Sequence, residues 1–147
     1  MPKINKKIPV GILGATGMVG QKFISLLKNH PWFEVAVIAA SKKSAGKKLG
    51  SFTIYSVEDD IDVISQKCRL VFSAIDADKE FIKKIEGMYA LKGLPVVSNN
   101  SAHRWSDDVP MIIPEINPEH LDIIPIQQKN RGWKGKGFIV VKPNCSL

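Results

Sequence analysis

Cysteine is scarce in this chain, with only Cys68 and Cys145 among 147 residues. They are too few and too far apart to suggest a disulfide framework or a zinc site, so both are expected as reduced thiols and no metal is expected. Long apolar runs are absent as well. No stretch approaches the roughly 20 apolar residues of a membrane span, and the basic opening MPKINKK lacks a following signal-peptide hydrophobic block and cleavage site. The expected location is cytoplasmic, with no membrane partner. Acidic residues are outnumbered, 14 against 21 basic ones, for a net charge of +7. A nucleic-acid surface would gather that excess into a basic stripe interleaved with aromatics, but the lysines are scattered and aromatics make up 7%. Nucleic acid is therefore not the expected partner, and anionic small ligands carrying phosphate are. Internal repeats and low-complexity tracts are also missing. What remains is 44% hydrophobic and 24% charged, the balance of one globular domain over residues 1–147.

Short runs rich in Val and Ile alternate with segments of helical period, the pattern of parallel strands joined by crossover helices. The spacing predicts strands at 9–13, 34–40, 70–74, 94–98 and 138–142. A first helix is predicted over 17–28, with Val19, Phe23, Leu26 and Leu27 as its buried stripe and Asn29 and Pro31 ending it. A second is predicted over 78–92, with Phe81, Ile82, Ile85 and Met88 inward and Gly93 as terminator. Asn117 and Pro118 read as the N-cap and first position of a short helix that Pro125 should cut off. The expected class is α/β, a Rossmann-type, doubly wound, mostly parallel sheet.

Gly14-Ala-Thr-Gly17-Met-Val-Gly20 leaves the first strand and opens the first helix, the context in which a glycine turn cradles phosphate. Gly14 would permit the tight turn, Gly17 would let backbone approach a pyrophosphate at the helix N-terminus, and Gly20 would let helix and strand pack closely. An acidic residue ending the second strand would select NAD by its ribose hydroxyl. Ser41-Lys-Lys43-Ser44 stands there instead, followed by Gly46, Lys47 and Lys48. These hydroxyls and cations suit a 2′-phosphate, so NADP is the expected cofactor.

Pro143-Asn144-Cys145-Ser146 follows the last strand, on the sheet edge where open α/β folds keep their ligand crevice. A helix N-terminus just beyond would favour the Cys145 thiolate as nucleophile. Cys68, before the third strand, reads as a small buried hydrophobe.

Taken in order, GILGATGMVGQ, ASKKSAGKK, VFSA, SNNSAHR, DVPMIIPEINPEHL and PNCS resemble the aspartate-semialdehyde dehydrogenases, closest to their archaeal and fungal branch. The resemblance implies NADPH-dependent reduction of aspartyl phosphate, releasing phosphate and aspartate semialdehyde on the route to lysine, threonine and methionine. Cys145 matches the nucleophile that forms the acyl-thioester, and Asn144 matches the neighbour that positions the acyl group. Arg104 matches the arginine that binds substrate phosphate, with Asn99 in the same loop; a guanidinium fork suits phosphate oxygens. Thr16, Gly17, Met18 and Val19 match the cofactor turn, Ser41 and Ser44 the 2′-phosphate contacts, and Ser73 and Ala74 the strand end beside the cofactor. His30, His103 and His120 match no acid/base histidine of the family and are expected as surface or loop residues.

The chain is about half the family's length and stops two residues after the nucleophile. The resemblance therefore implies that the acid/base His, the carboxylate-binding Arg and most of the subunit interface of the homo-oligomeric relatives lie elsewhere, and no turnover is expected from this chain alone. The stretch 50–66 reads as shortened, omitting a strand or loop, and Leu147 stands where Thr is usual. A gene fragment, a split enzyme and a decayed copy remain open, as does a non-catalytic NADP-binding module or a half needing a separate chain. Malonyl-CoA reductase and N-acetyl-glutamyl-phosphate reductase share the turn and the Cys, but PNCS fits them less well. Short-chain dehydrogenases need a Tyr with Lys four positions later, whereas Tyr55 has Asp59 there and Tyr89 has Gly93.

Overall fold

The computed structural model describes residues 5–146, so that Met1–Ile4 of the basic opening and Leu147, the departure from Thr, lie outside the described residues. The sheet is built outward from β1 (Ile8–Leu13). On one side lie β2 (Phe33–Ala40), β4 (Phe52–Ser56) and the two-residue β3 (Lys48–Leu49); on the other lie β5 (Leu70–Ser73), β6 (Pro95–Ser98) and β7 (Phe138–Val141). The resulting order is β3-β4-β2-β1-β5-β6-β7. Every pairing is parallel except β3 with β4, and the chain reverses its direction of travel across the sheet at β1/β5. This is the expected Rossmann-type doubly wound sheet.

Both faces of β1 are covered, which explains its unbroken apolar sequence. Val10 and Ile12 meet Leu27, Phe23 and Ile24 on the side of α1 (Met18–Leu27). Leu13, Val71 and Val96 meet Ile61 and Ile64 of α2 (Ile61–Lys67), and Ile82, Ile85 and Tyr89 of α3 (Lys79–Leu91), on the opposite side. Gly11 faces this second layer, where a Cβ would stand 3.1 Å from both Cys68 Sγ and Val71 Cγ1. Cys68 is buried, as its apolar reading anticipated, and desolvation pushes its thiol up to about 11.

Several local expectations are corrected. The inward stripe of α1 is Gly20, Phe23, Ile24 and Leu27, while Leu26 is 65% and Val19 42% exposed. The helix is rotated because Gly20, which has no side chain, is the residue that touches the turn. In α3 the buried face is Ile82, Ile85, Glu86 and Tyr89, and Met88 turns outward. The stretch 50–66, for which no element was expected, supplies β4 and most of α2. A 3-10 helix spans Pro118–Ile123, and Pro125 then opens α4 (Ile124–Arg131) instead of ending a helix. Proline is tolerated in a first turn because the N–H it lacks has no partner there. Asn117 does precede Pro118 as N-cap, although its side chain is spent on Ile113 N and Met111 O.

One edge of the sheet is finished by a side chain. Gln127 of α4 is fully buried; its Oε1 accepts from Ile139 N at 2.7 Å and its Nε2 donates to Ile139 O and Asp108 O, each at 2.9 Å. Among the described residues no helix is long and apolar enough to cross a membrane.

Candidate active site

The carboxyl ends of the parallel strands share one edge of the molecule, and the chain reversal at β1/β5 opens a cleft there, as doubly wound sheets do. Its volume is about 520 Å³, and its walls include Gly14, Thr16, Gly17, Ser41, Glu58, Ala74 and Asp78. The glycine turn forms one lip. Gly14 has φ +84°, and both its N–H and that of Ala15 donate to Ala39 O at 2.9 Å, tying the turn to the end of β2. A Cβ on Gly14 would fall 2.3 Å from Ala74 O, and one on Gly20 2.0 Å from Gly14 O. Gly17 is the N-cap of α1, where no side chain caps the helix and no acidic residue occupies the first turn. The orphan amides and positive dipole end of α1 are therefore left for an external anion. That is the donor set a dinucleotide pyrophosphate requires, so these residues fit the group.

Ser41 lines the cleft, while Ser44 stands outside the wall with its N–H bonded to Ser41 O at 2.9 Å. Lys42 is engaged elsewhere, 3.2 Å from Asp59 Oδ1 and 3.4 Å from Glu58 Oε2, and the hydrogen bonds to those carboxylates hold its ammonium above its ordinary range. Lys43 is exposed. Sequence reasoning missed Glu58, which the end of β4 brings into the wall near Ser41. It also missed Ile75, Asp76 and Phe81 beside the N-terminus of α3, where the Asp78 side chain caps Phe81 N at 3.0 Å. The signal for Glu58 was a strand at 52–56; the signal for the others was that the loop after 70–74 borders the reversal point. Met18 and Val19 are exposed in the first turn of α1. Ala74 is in the wall, whereas the Ser73 hydroxyl is buried and accepts from Asn100 Nδ2 at 3.3 Å.

A second cluster occupies the same edge at β6 and β7. Arg104 donates from Nε to Lys142 O at 3.0 Å and from Nη2 to Asn99 O at 3.1 Å. Lys142 N in turn donates to Ser98 O, and Asn99 N to Ser73 O. Arg104 thus links the loop after β6 to the segment that carries Asn144 and Cys145. Cys145 is exposed and its Sγ–H donates to Asn144 Oδ1 at 3.4 Å. A guanidinium has five N–H donors, and these two bonds leave the rest of the fork available beside the loop of the thiol.

The three histidines divide. His30 Nδ1, in the loop before β2, accepts from Trp32 N and Phe33 N, and His120 Nδ1, in the 3-10 helix, accepts from Met111 N; both are half-buried groups with structural work. His103 is a loop residue, as expected, but not a surface one, because it is 2% exposed within the loop that carries Arg104. An aromatic ring with two polar atoms is buried there because a buried carboxylate, Glu86, lies opposite, 3.6 Å from Nε2.

Comparison with known proteins adds to this geometry. Residues 9–124 match the family model described as semialdehyde dehydrogenase, NAD binding domain. The aspartate-semialdehyde dehydrogenase of Archaeoglobus fulgidus is 46% identical over 93% of the chain, which spans 42% of that relative. The crystal structure of aspartate-semialdehyde dehydrogenase with NADP from Candida albicans superposes with a TM-score of 0.78 at 35% identity, over 96% of this chain and 44% of that one. The malonyl-CoA reductase (NADP) of Metallosphaera sedula is further off, at 33% identity over 97% of the chain. The chain thus spans about two-fifths of the length of the curated relatives it matches.

Proposed function

The chain belongs to the semialdehyde dehydrogenase family through its NAD-binding domain, and from that premise we propose that it is the NADP-binding, nucleophile-bearing portion of an aspartate-semialdehyde dehydrogenase. The observation that carries this reading is the gathering, on one sheet edge, of an uncapped glycine-turn helix, Ser41, the Arg104 fork and the Cys145 thiol. In this assignment residues 1–147 form one domain, and the small-molecule partner is L-aspartyl-4-phosphate. Gly14, Thr16, Gly17, Met18, Val19 and Gly20 shape the pyrophosphate site, while Ser41, Lys43 and Ser44 receive the 2′-phosphate. Ala74, with the backbone end of β5 at Ser73, borders the nicotinamide half.

Arg104 and Asn99 hold the substrate phosphate at the loop that leads to Cys145. The Cys145 thiolate attacks the acyl carbon; the C–S bond forms as the bond from that carbon to the phosphate oxygen breaks, and inorganic phosphate leaves with the electron pair. Asn144, in contact with the thiol, orients the acyl oxygen. NADPH, when bound, supplies the hydride that reduces the thioester to the aldehyde. Cys145 then recovers its electron pair as the C–S bond breaks.

The test is differential. Calorimetry should give tighter binding of NADPH than of NADH, and an acyl phosphate should acylate Cys145 with stoichiometric release of phosphate. Equal cofactor affinities would remove the NADP assignment, and acylation that persists in Cys145→Ser would remove the nucleophile.

A further inference from the structure

The inward face of α3 should be apolar, yet at its centre stands Glu86, with no exposed surface. A buried carboxylate costs several kcal/mol unless it is neutralised or fully bonded, so its partners matter. Glu86 Oε1 accepts from Ser98 Oγ at 2.7 Å and from Asn100 Nδ2 at 3.1 Å. Glu86 Oε2 has no hydrogen-bond partner, nor has either ring nitrogen of His103, and the closest approach between the two groups is 3.6 Å. Asn100 is further held through its N–H to Ser98 Oγ and its Nδ2 to Ser73 Oγ. The carboxyl of one helix residue therefore bears on Ser98 at the end of β6 and on residues 100 and 103 of the loop that follows. Between and beside these lie Asn99 and Arg104, which are bonded to each other through Arg104 Nη2 and Asn99 O.

We propose that Glu86 and His103 are positioning residues for the anion site at Arg104 and Asn99, and that anion binding there is coupled to retention of one proton by this buried pair. The proposal rests on the reading that Arg104 receives the substrate phosphate. Its physical basis is a clamp with two states. With a proton on Glu86, the carboxyl can donate to His103 Nε2 while Oε1 keeps Ser98 and Asn100, and the loop is fastened at both ends without a net charge. Without that proton, a bare carboxylate is buried opposite His103 and the donor to His103 is lost, so the loop that carries Asn99 and Arg104 loses one of its fastenings.

Burial drives both groups toward their neutral forms. Glu86 is held above the usual carboxylate range by desolvation, and desolvation, followed by the charges of Arg131 and Lys83, takes His103 down to about 4. The charged groups that act on the pair are Lys83 on α3, Arg131 on α4 and Asp108 in the loop region between β6 and the 3-10 helix, while Arg104 adjoins His103 in sequence. Arg131 is already bound by Asp108 through two bonds of 2.8 Å. Strands β5, β6 and β7 add no charge, only the Ser73 and Ser98 hydroxyls. Glu86, held up by its burial, is thus the group of the pair placed to gain or lose the proton. Linkage is reciprocal: if the proton favours the anion, the anion must favour the proton.

Sulfate tests this in the full chain because it does not itself titrate across the neutral range. Its binding would be followed at the Arg104 Nε–H resonance and by calorimetry in two buffers of different ionisation enthalpy. The wild-type chain should take up protons on binding sulfate and lose affinity by a factor of about five to ten as pH rises through the titration of Glu86, the lower range of site-to-site coupling. In Glu86→Gln, whose amide retains an acceptor for Ser98 and a donor toward His103, affinity should stay near the wild-type acidic value at every pH, with no proton uptake. A wild-type chain that binds sulfate at Arg104 without proton uptake overturns the clamp and leaves the anion site standing; that measurement needs no variant to fold. A pH profile in Glu86→Gln identical to wild type overturns it equally. An Arg104 Nε–H resonance that does not respond while sulfate binds overturns the Arg104 reading and the clamp with it.

Discussion

Alanine at Gly20 should damage the fold, whereas alanine at Gly17 should damage nucleotide binding alone. The added Cβ at position 20 would stand 2.0 Å from Gly14 O and 2.8 Å from Ala15 Cα. Both are backbone atoms of the turn and cannot swing aside, so α1 must shift by more than an ångström relative to β1. Overpacking of this kind costs about 1–3 kcal/mol, and the rigid neighbours place it at the upper end. The helix propensity of alanine returns about 1 kcal/mol. A net loss of about 2 kcal/mol lowers the melting temperature by roughly 6 °C in a domain of this size. At position 17 the nearest atom would be Gly14 O at 3.5 Å, an ordinary contact, and φ −75°, ψ 168° suits any residue. Stability should change there by less than about 1 kcal/mol. The methyl would add bulk at the N-cap of α1, the place proposed for the pyrophosphate, so NADPH affinity should fall tenfold or more. Calorimetric melting and NADPH titration of the two variants decide the matter. A Gly20→Ala chain that melts with wild type, or a Gly17→Ala chain that binds NADPH undiminished, refutes the division of labour in the turn.

Other expected outcomes are independent of this one. Ser41→Asp should reverse the preference for NADPH over NADH, read by titration, because a carboxylate repels the 2′-phosphate and accepts from the ribose hydroxyl. A thiol-directed reagent near pH 7 should modify exposed Cys145 at least tenfold faster than Cys68, whose burial and raised pKa of about 11 leave almost no thiolate; equal rates by mass spectrometry would contradict this. Glu86→Gln should uncover the acid sensitivity of His103. A folded pKa of about 4 against 6.5 means that stability is lost as pH falls through that interval, by at most about 3 kcal/mol. In His103→Gln the raised pKa of Glu86 has the opposite sign, so stability should fall as pH rises above the normal carboxylate range. In the wild-type chain the two trends offset each other over mildly acidic pH, and chemical denaturation across that range should show all three profiles. Asp108→Asn removes the two-pronged bond to Arg131, whose guanidinium holds the carboxylate below its usual range, and should cost about 1–3 kcal/mol at neutral pH.

The parallel strands were legible because burial on both faces leaves nearly pure apolar runs at 9–13, 34–40, 70–74, 94–98 and 138–142, and each ended within a residue or two of its observed bounds. The glycine turn was legible for a similar reason, since few residues other than glycine fit positions 14 and 20. The segment 50–66 was not: FTIYS lies near the sheet's edge and alternates, and α2 has only seven residues, too few to display a helical period. Leaving it without an element hid Glu58, which reaches the cleft through the pairing of β4 with β2. The rotation of α1 escaped because periodicity weighs only apolar side chains, while the closest contact is made by Gly20. Glu86 and His103 escaped for the converse reason, as each reads as polar and exposed until the other is placed opposite it. Which groups surround Arg104 depends on residues far apart in sequence, Lys142 and Asn99 among them.

The Gln127 amide at the border of the sheet has a consequence for association. A terminal strand presents a row of free amide and carbonyl groups, which is a template for another chain. On β7 that row is already answered: Gln127 reproduces at Ile139 the paired donor and acceptor of a neighbouring strand, and residues 110–112 do the same at Val141, through Pro110 O and Ile112 N. One side chain thereby acts as a single residue of a further strand beside β7. Substituting leucine there would preserve bulk and leave the strand open to self-templating, so the failure of such a variant would be seen first as fibrillar or amorphous aggregation and only afterwards as loss of ligand binding.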